Sequence, residues 1–273
     1  MAAYTTIDDP TAYFQTTIYT GNGGTQSITL DGSENMQPDW VWVKQRGGTT
    51  NHKTSNSVTG ATKALQPNDT DAEATDSDGI TSFDSNGFSL GAGGDYNGSS
   101  NTQVAWCWKA GTSVSGTTTG SGTSKSYSGS VNTDSGVSII SYTGNGTDGH
   151  TIPHHLGVIP KMVIAKVTVG NTNNWGVYHH TLGTNKTLYL DLTMAAETSS
   201  FINDTTPTSS VVSLSSNISN QDGKTFIMYS FAEKQGYSKF GSYTGNGNVS
   251  GPMIWTGFKP AWVMIKRTDS TNN

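Results

Sequence analysis

A single cysteine, Cys107, among 273 residues leaves no partner for an intramolecular disulfide. Set between Trp106 and Trp108 in a strand-like run, it reads as a buried, inert thiol. Charge is scarce as well: 13% of residues are Asp, Glu, Lys or Arg, with a net charge of −5. The lysines and arginines are scattered, so no basic face exists to displace counterions from phosphates, which argues against nucleic acid. An anionic membrane is disfavoured for the same reason. No apolar run approaches spanning length, so membrane insertion is not expected. The opening Met-Ala-Ala-Tyr-Thr-Thr-Ile-Asp-Asp lacks the charged and apolar regions of a signal peptide. Stability without cross-links or export suits assembly in a cytoplasm.

Helix patterning is missing too. No stretch of a dozen residues repeats apolar side chains at i, i+3 and i+4. Hydrophobic residues make up 32%, while Gly, Ser, Thr and Asn dominate, a composition of polar, turn-rich strands.

What is present is repetition. Tyr19-Thr-Gly21-Asn22-Gly23 returns as Tyr142-Thr-Gly144-Asn145-Gly146 and as Tyr243-Thr-Gly245-Asn246-Gly247. Each copy is followed by a proline, an apolar run and a lysine: Pro38 to Lys44, Pro160 to Lys166, Pro260 to Lys266. Tyr19 and Tyr142 are 123 positions apart, and so are Asn97 and Asn220, Thr102 and Thr225, and Trp106 and Tyr229. One register held this long implies duplication of a unit. Its period exceeds that of solenoid turns and is long enough to bury a core alone, so domains in tandem are expected.

The fold class that follows is all-β: tandem antiparallel β-sandwiches, with short strands punctuated by Asn, Gly and Asp. Residues 1–12 read as an N-terminal arm or attachment segment and 13–110 as the first sandwich. Residues 111–136 form a Gly/Ser/Thr-rich connection that can carry an edge strand or two. The second sandwich spans 137–236, and 237–273 is an incomplete third unit, which predicts a longer natural protein. Asn22-Gly23 reads as a tight turn with φ > 0. Trp40-Val-Trp42-Val is apolar on both faces and predicts a central, doubly covered strand. Asn86-Gly87 between Phe83 and Phe88 predicts a hairpin. Trp106 and Trp108 share one strand face, with Ala105 and Cys107 on the other.

Asp69, Asp71, Asp76 and Asp78 are weak calcium candidates, since Ca²⁺ takes several carboxylate and carbonyl oxygens, but the stretch lacks EF-hand spacing. His150, His154, His155, His179 and His180 cluster in the second unit only, so a metal site there is no feature of the shared unit. No acidic pair recurs in register: Glu73, Asp78, Asp191 and Glu233 have no counterparts. No nucleophile elbow or phosphate loop appears. Neither catalysis nor a cofactor is expected. For sugars, which stack on aromatic faces, the candidates are Trp175, Tyr178 and Tyr237.

The repeat motif, then Asn174-Trp175-x-Val177-Tyr178-His179, then Tyr229-x-Phe231-Ala-Glu233 resembles a repeat of marine bacteriophage virion structural proteins, of cyanophage or pelagiphage type. Tyr4 to Pro10 and Trp106-Cys-Trp-Lys109 resemble that family's first unit. The resemblance implies concanavalin-like jelly-roll units in a tail fibre or spike, attached by the N-terminal part and contributing to host adsorption. It also implies other virion proteins as partners, homotrimeric assembly and a location in the virion. Open alternatives are a capsid-surface fibre or decoration protein and a stand-alone carbohydrate-binding module. His52 stands where the second unit has Trp175, which departs from the pattern.

Overall fold

The computed structural model describes residues 4–271. Residues 1–3 of the expected arm and 272–273 of the third unit lie outside the described residues.

The first half carries β1 (Phe14–Thr20), β2 (Gln26–Thr29), β3 (Trp40–Gln45), β4 (Lys53–Asn56), β5 (Gly60–Leu65), β6 (Ala74–Thr75), β7 (Ile80–Asp84), β8 (Gly87–Leu90) and β9 (Thr102–Trp108). They form a six-stranded sheet, β1-β9-β3-β4-β5-β6, and a three-stranded sheet, β2-β8-β7. The second half carries β10 (Thr112–Thr117), β11 (Thr119–Gly120), β12 (Ser126–Asn132), β13 (Val137–Thr143), β14 (His150–Pro153), β15 (Met162–Val169), β16 (Gly176–His179), β17 (Lys186–Tyr189), β18 (Glu197–Thr198), β19 (Val211–Leu214) and β20 (Thr225–Phe231). They form an eight-stranded sheet, β10-β12-β13-β20-β15-β16-β17-β18, and a three-stranded sheet, β11-β14-β19. All pairings are antiparallel, and the chain is all-β.

Strand pairing follows the sequence repeat. Thr16 faces Trp106 as Ile139 faces Tyr229, and Trp42 lies between Trp106 and Thr54 as Ile164 lies between Tyr229 and Val177. Within segment 111–136, β12 pairs with β13, and β10 extends the sheet beyond it.

Three apolar cores separate the four sheets. Val41, Val43, Ala105 and Cys107 meet Ile28, Ile80, Phe88 and Leu90 inside the first sandwich. Ile140, Val163, Val167 and Met228 meet Ile152, Val212 and Leu214 inside the second. The third core lies between the two large sheets, where Trp40, Trp42 and Trp108 meet Ile139, Ile164, Trp175 and Tyr229. The two-faced apolar pattern of β3 is thereby explained: its valines enter one core and its tryptophans another. The Trp40 ring stacks on Trp108 at 4.3 Å and on Tyr229, from the other sandwich, at 4.4 Å. Burying each such ring contributes about 2–3 kcal/mol.

The Tyr-Thr-Gly-Asn-Gly motif joins strands of different sheets, β1 and β2 in the first sandwich, so its turn is a corner between sheets. One part of the turn expectation is corrected. Gly23 and Gly146 take positive φ, at 72° and 71°, while the preceding asparagines do not. Gly21 and Gly144 are required for another reason: a Cβ there would meet a carbonyl oxygen, of Gly98 or Gln221, at 2.3 Å.

The third copy forms no strand among the described residues. A strand needs a neighbour to take its N–H and C=O groups. Here Pro260–Lys266 instead crosses the other units with Trp262 edge-on to Trp108 at 5.4 Å, and Ala196 N–H bonds the Thr268 carbonyl.

Candidate binding cavity

The polar loop 66–73 of the first sandwich docks on the second. Trp175 Nε1 donates to the carbonyls of Gln66 (2.9 Å) and Asp69 (3.2 Å), Asn173 N to Thr70 O, and Glu73 N to Thr168 O. Lys166, fully buried on β15, donates from Nζ to Thr70 O at 2.9 Å. Burial pushes the Lys166 ammonium down to about 8, against the opposing pull of Asp191, Asp71 and Asp69. All three repeat lysines bind main-chain carbonyls: Lys44 those of Gln45 and Gly48, Lys266 that of Leu192.

This docking settles where several expected site residues go. Trp175, 1% exposed, offers no face to a sugar because its indole is committed to the loop. Tyr178 is buried in the second sandwich's own core. Tyr237 is half-buried, edge-on to Tyr13 at 6.2 Å, and burial raises its phenol pKa. Asp69 Oδ1 accepts from Thr70 N, and Asp76 Oδ1 accepts from Asp78 N, so these carboxylates serve their own loops. Among the described residues no three His, Cys, Asp or Glu side chains converge as a metal site. The second-unit histidines do not converge: His150 meets Ser121 and Asn145, His154 meets Thr208, His155 meets Tyr127, and the His179 and His180 rings, 5.2 Å apart, bond Thr181 and Phe240.

The aromatic side chains that do line open space are others. A cavity of about 530 Å³ lies where the first large sheet, loop 66–73 and the crossing segment 261–265 meet. Its walls are Trp42, Trp106 and Trp262, with His52, Asn68 and Leu190. Trp42 and Trp106 stand edge-on at 6.1 Å, so one presents an edge where the other presents a face. The Trp42 Nε1–H donates to His52 Nδ1 at 2.9 Å, which leaves the proton of neutral His52 on Nε2. Burial, and the nearby Lys44 charge, hold His52 below the usual imidazole range. Asn68 is anchored from both sides, its Oδ1 accepting from His52 N and its Nδ2 donating to Asn51. A cavity of flat apolar faces with a few fixed polar groups suits a ring with one apolar face and a hydroxylated rim.

In sequence Trp42, Trp106 and Trp262 are repeat positions and carry no site motif. A usable signal was there: the second copy holds Ile164, Tyr229 and Met162 at the corresponding places, so the duplicated core does not require tryptophan.

The family described as Domain of unknown function (DUF7483) matches residues 9–273. The chain belongs to this family. That match spans both sandwiches of the DUF7483 chain and its crossing segment. No curated protein and no solved structure matches it.

Proposed function

We propose that this chain is a bacteriophage virion structural protein of tail-fibre or spike type, attached through its N-terminal part and contributing to host-cell adsorption. Its role is architectural, not catalytic. The observation that carries this reading is the core between the two large sheets. Trp108, Trp40 and Tyr229 stack in succession across it, joining two sandwiches into one four-sheet body. Such a join resists bending between modules, which a projecting particle component needs. The motif resemblance supports the same reading. Antibody raised against the chain should label purified particles at tail or spike, and added protein should reduce adsorption. Label on the capsid shell would favour the decoration alternative, and unlabelled particles would reject the virion role.

The tryptophan cavity favours a second role, contact with a host-surface glycan. Half-buried Trp106 and Trp262 supply stacking faces, and His52 Nε2–H and Asn68 supply polar groups beside buried Trp42. On a glycan array, Trp106→Ala should abolish binding while Trp175→Ala, where folded, retains it. Binding by a protein found free of particles would favour a stand-alone carbohydrate-binding module.

A further inference from the structure

We infer that copies of this chain join edge to edge, strand β1 of one copy pairing antiparallel with strand β10 of the next. The inference concerns the sheets alone and holds whether or not the virion reading does.

The two sandwiches treat one corresponding edge differently. In the second, β13 is flanked on one side by β20 and on the other by β12, with Ile139 opposite Ser130 and Ser141 opposite Ser128. In the first, β1 corresponds to β13 and has β9 on one side only. Tyr13 O accepts from Lys109 N, and Gly21 N donates to Asn101 O, so odd-numbered residues of β1 bond β9. The main-chain groups of Phe14, Thr16, Ile18 and Thr20 therefore point away from it. These are the counterparts of Val137, Ile139, Ser141 and Thr143, the first three of which lie in the register paired with β12 in the second sandwich. Among the described residues no hydrogen bond reaches the N–H of Thr16 or Ile18, and Ile18 is 58% exposed.

The chain also carries a strand suited to the vacant place. β10 is the outermost strand of the eight-stranded sheet, and Thr118 N bonds Lys125 O across it. By the same alternation Ser113, Ser115 and Thr117 direct their main-chain groups outward. Its sequence, Thr-Ser-Val-Ser-Gly-Thr, has the hydroxyl-rich, uncharged character of β12, Ser-Tyr-Ser-Gly-Ser-Val-Asn. At seven and six residues, β1 and β10 are the longest edge strands among the described residues. Neither contains a charge or a proline, the usual devices that keep an edge from pairing. Since two different edges meet, the contact is head-to-tail and closes as a ring or continues as a filament.

The test uses the full chain. Light scattering after size exclusion should give a multiple of the single-chain mass that falls on dilution. Thr16→Pro and Ser115→Pro each remove only an outward N–H, so each should reduce the mass to one chain with an unchanged far-UV spectrum. Should either proline variant misfold, Thr16→Lys and Ser115→Lys take its place with the same expectation. Thr16→Cys and Ser115→Cys proteins, mixed and treated with a short bismaleimide, should cross-link to each other, while buried Cys107 stays silent. A wild-type protein that is one chain at every loading would overturn the inference. So would an oligomer unchanged by the edge variants, or Thr16→Cys cross-linking to itself alone.

Discussion

Asn97 grips Asn22 at both ends: its Oδ1 accepts from the Asn22 main-chain N–H at 3.0 Å, and its Nδ2 donates to Asn22 Oδ1 at 3.1 Å. Asn220 holds Asn145 in the same way, at 2.9 and 2.8 Å. Each also donates to a loop carbonyl, of Gly24 or Thr147, and each is fully buried. Tyr19 and Tyr142 complete the corner by donating to the carbonyls of Tyr96 and Ser219. The recurring motif is thus a clamp that fixes where the chain leaves one sheet for the other.

The clamp makes the asparagines costly to remove. Asn97→Ala and Asn220→Ala each take a fully buried partner away from part-buried main-chain groups of the corner, so each should lower stability by about 1–3 kcal/mol in urea titration. Among the described residues Asn246 in the third copy bonds only within its own loop, to Ser250 O and Asn248 N. Asn246→Ala should therefore cost less than about 0.5 kcal/mol. Equal losses at all three positions would contradict the clamp.

Trp40 tests the union of the sandwiches. Trp40→Ala removes the ring between Trp108 and Tyr229 and should cost about 3–5 kcal/mol. Phe88→Ala, inside the first sandwich, should cost a similar amount. Only the Trp40 variant should split calorimetric unfolding into two transitions, since only it weakens the core between the large sheets. One cooperative transition in both variants would place the coupling elsewhere.

Much of this was readable from residues. The alternation in Trp40-Val-Trp42-Val and in Trp106-Cys107-Trp108 announced two-faced strands because side chains of a strand must alternate. The spacing of Asn97 and Asn220 announced equivalent places because a duplicated unit keeps its buried polar partners. The fate of Trp175 was not readable: its partners, Gln66 and Asp69, are remote in sequence, and the docking of the sandwiches alone brings them together. The path of Trp262 was hidden for a related reason. Its flanking residues have strand composition, yet composition does not say which neighbour takes the main-chain groups.

Cys107 offers a simple probe of the first sandwich. Its side chain is fully buried beside Val41 and Phe88, and burial raises the thiol pKa far above the usual range. A thiol reagent should leave the native protein unmodified for as long as it stays folded and should label it at the rate of global unfolding in urea. Rapid labelling without denaturant would mean that the six-stranded sheet opens locally.

Lys166 gives the fold a pH signature. Its pKa in the folded protein, about 8, lies below the usual 10.5, so the folded state releases this proton first as pH rises. Between those values the unfolded chain binds more protons, and stability must increase with pH. At about 1.4 kcal/mol per pH unit between those values, the increase from this group amounts to about 3 kcal/mol in full. Buried Cys107 has a raised thiol pKa and acts oppositely once the unfolded thiol ionises, above about pH 8.5, and buried Tyr142 and Tyr229 do so above about pH 10. The wild-type midpoint should therefore rise to about pH 8.5, hold to about pH 10 while the Lys166 and Cys107 contributions offset each other, and then fall. Lys166→Met removes the titrating amine, and its urea midpoint should fall from about pH 8.5 while the wild type holds. Parallel midpoints for the two proteins from pH 8 to 10 would mean that Lys166 keeps an ordinary ammonium despite its burial.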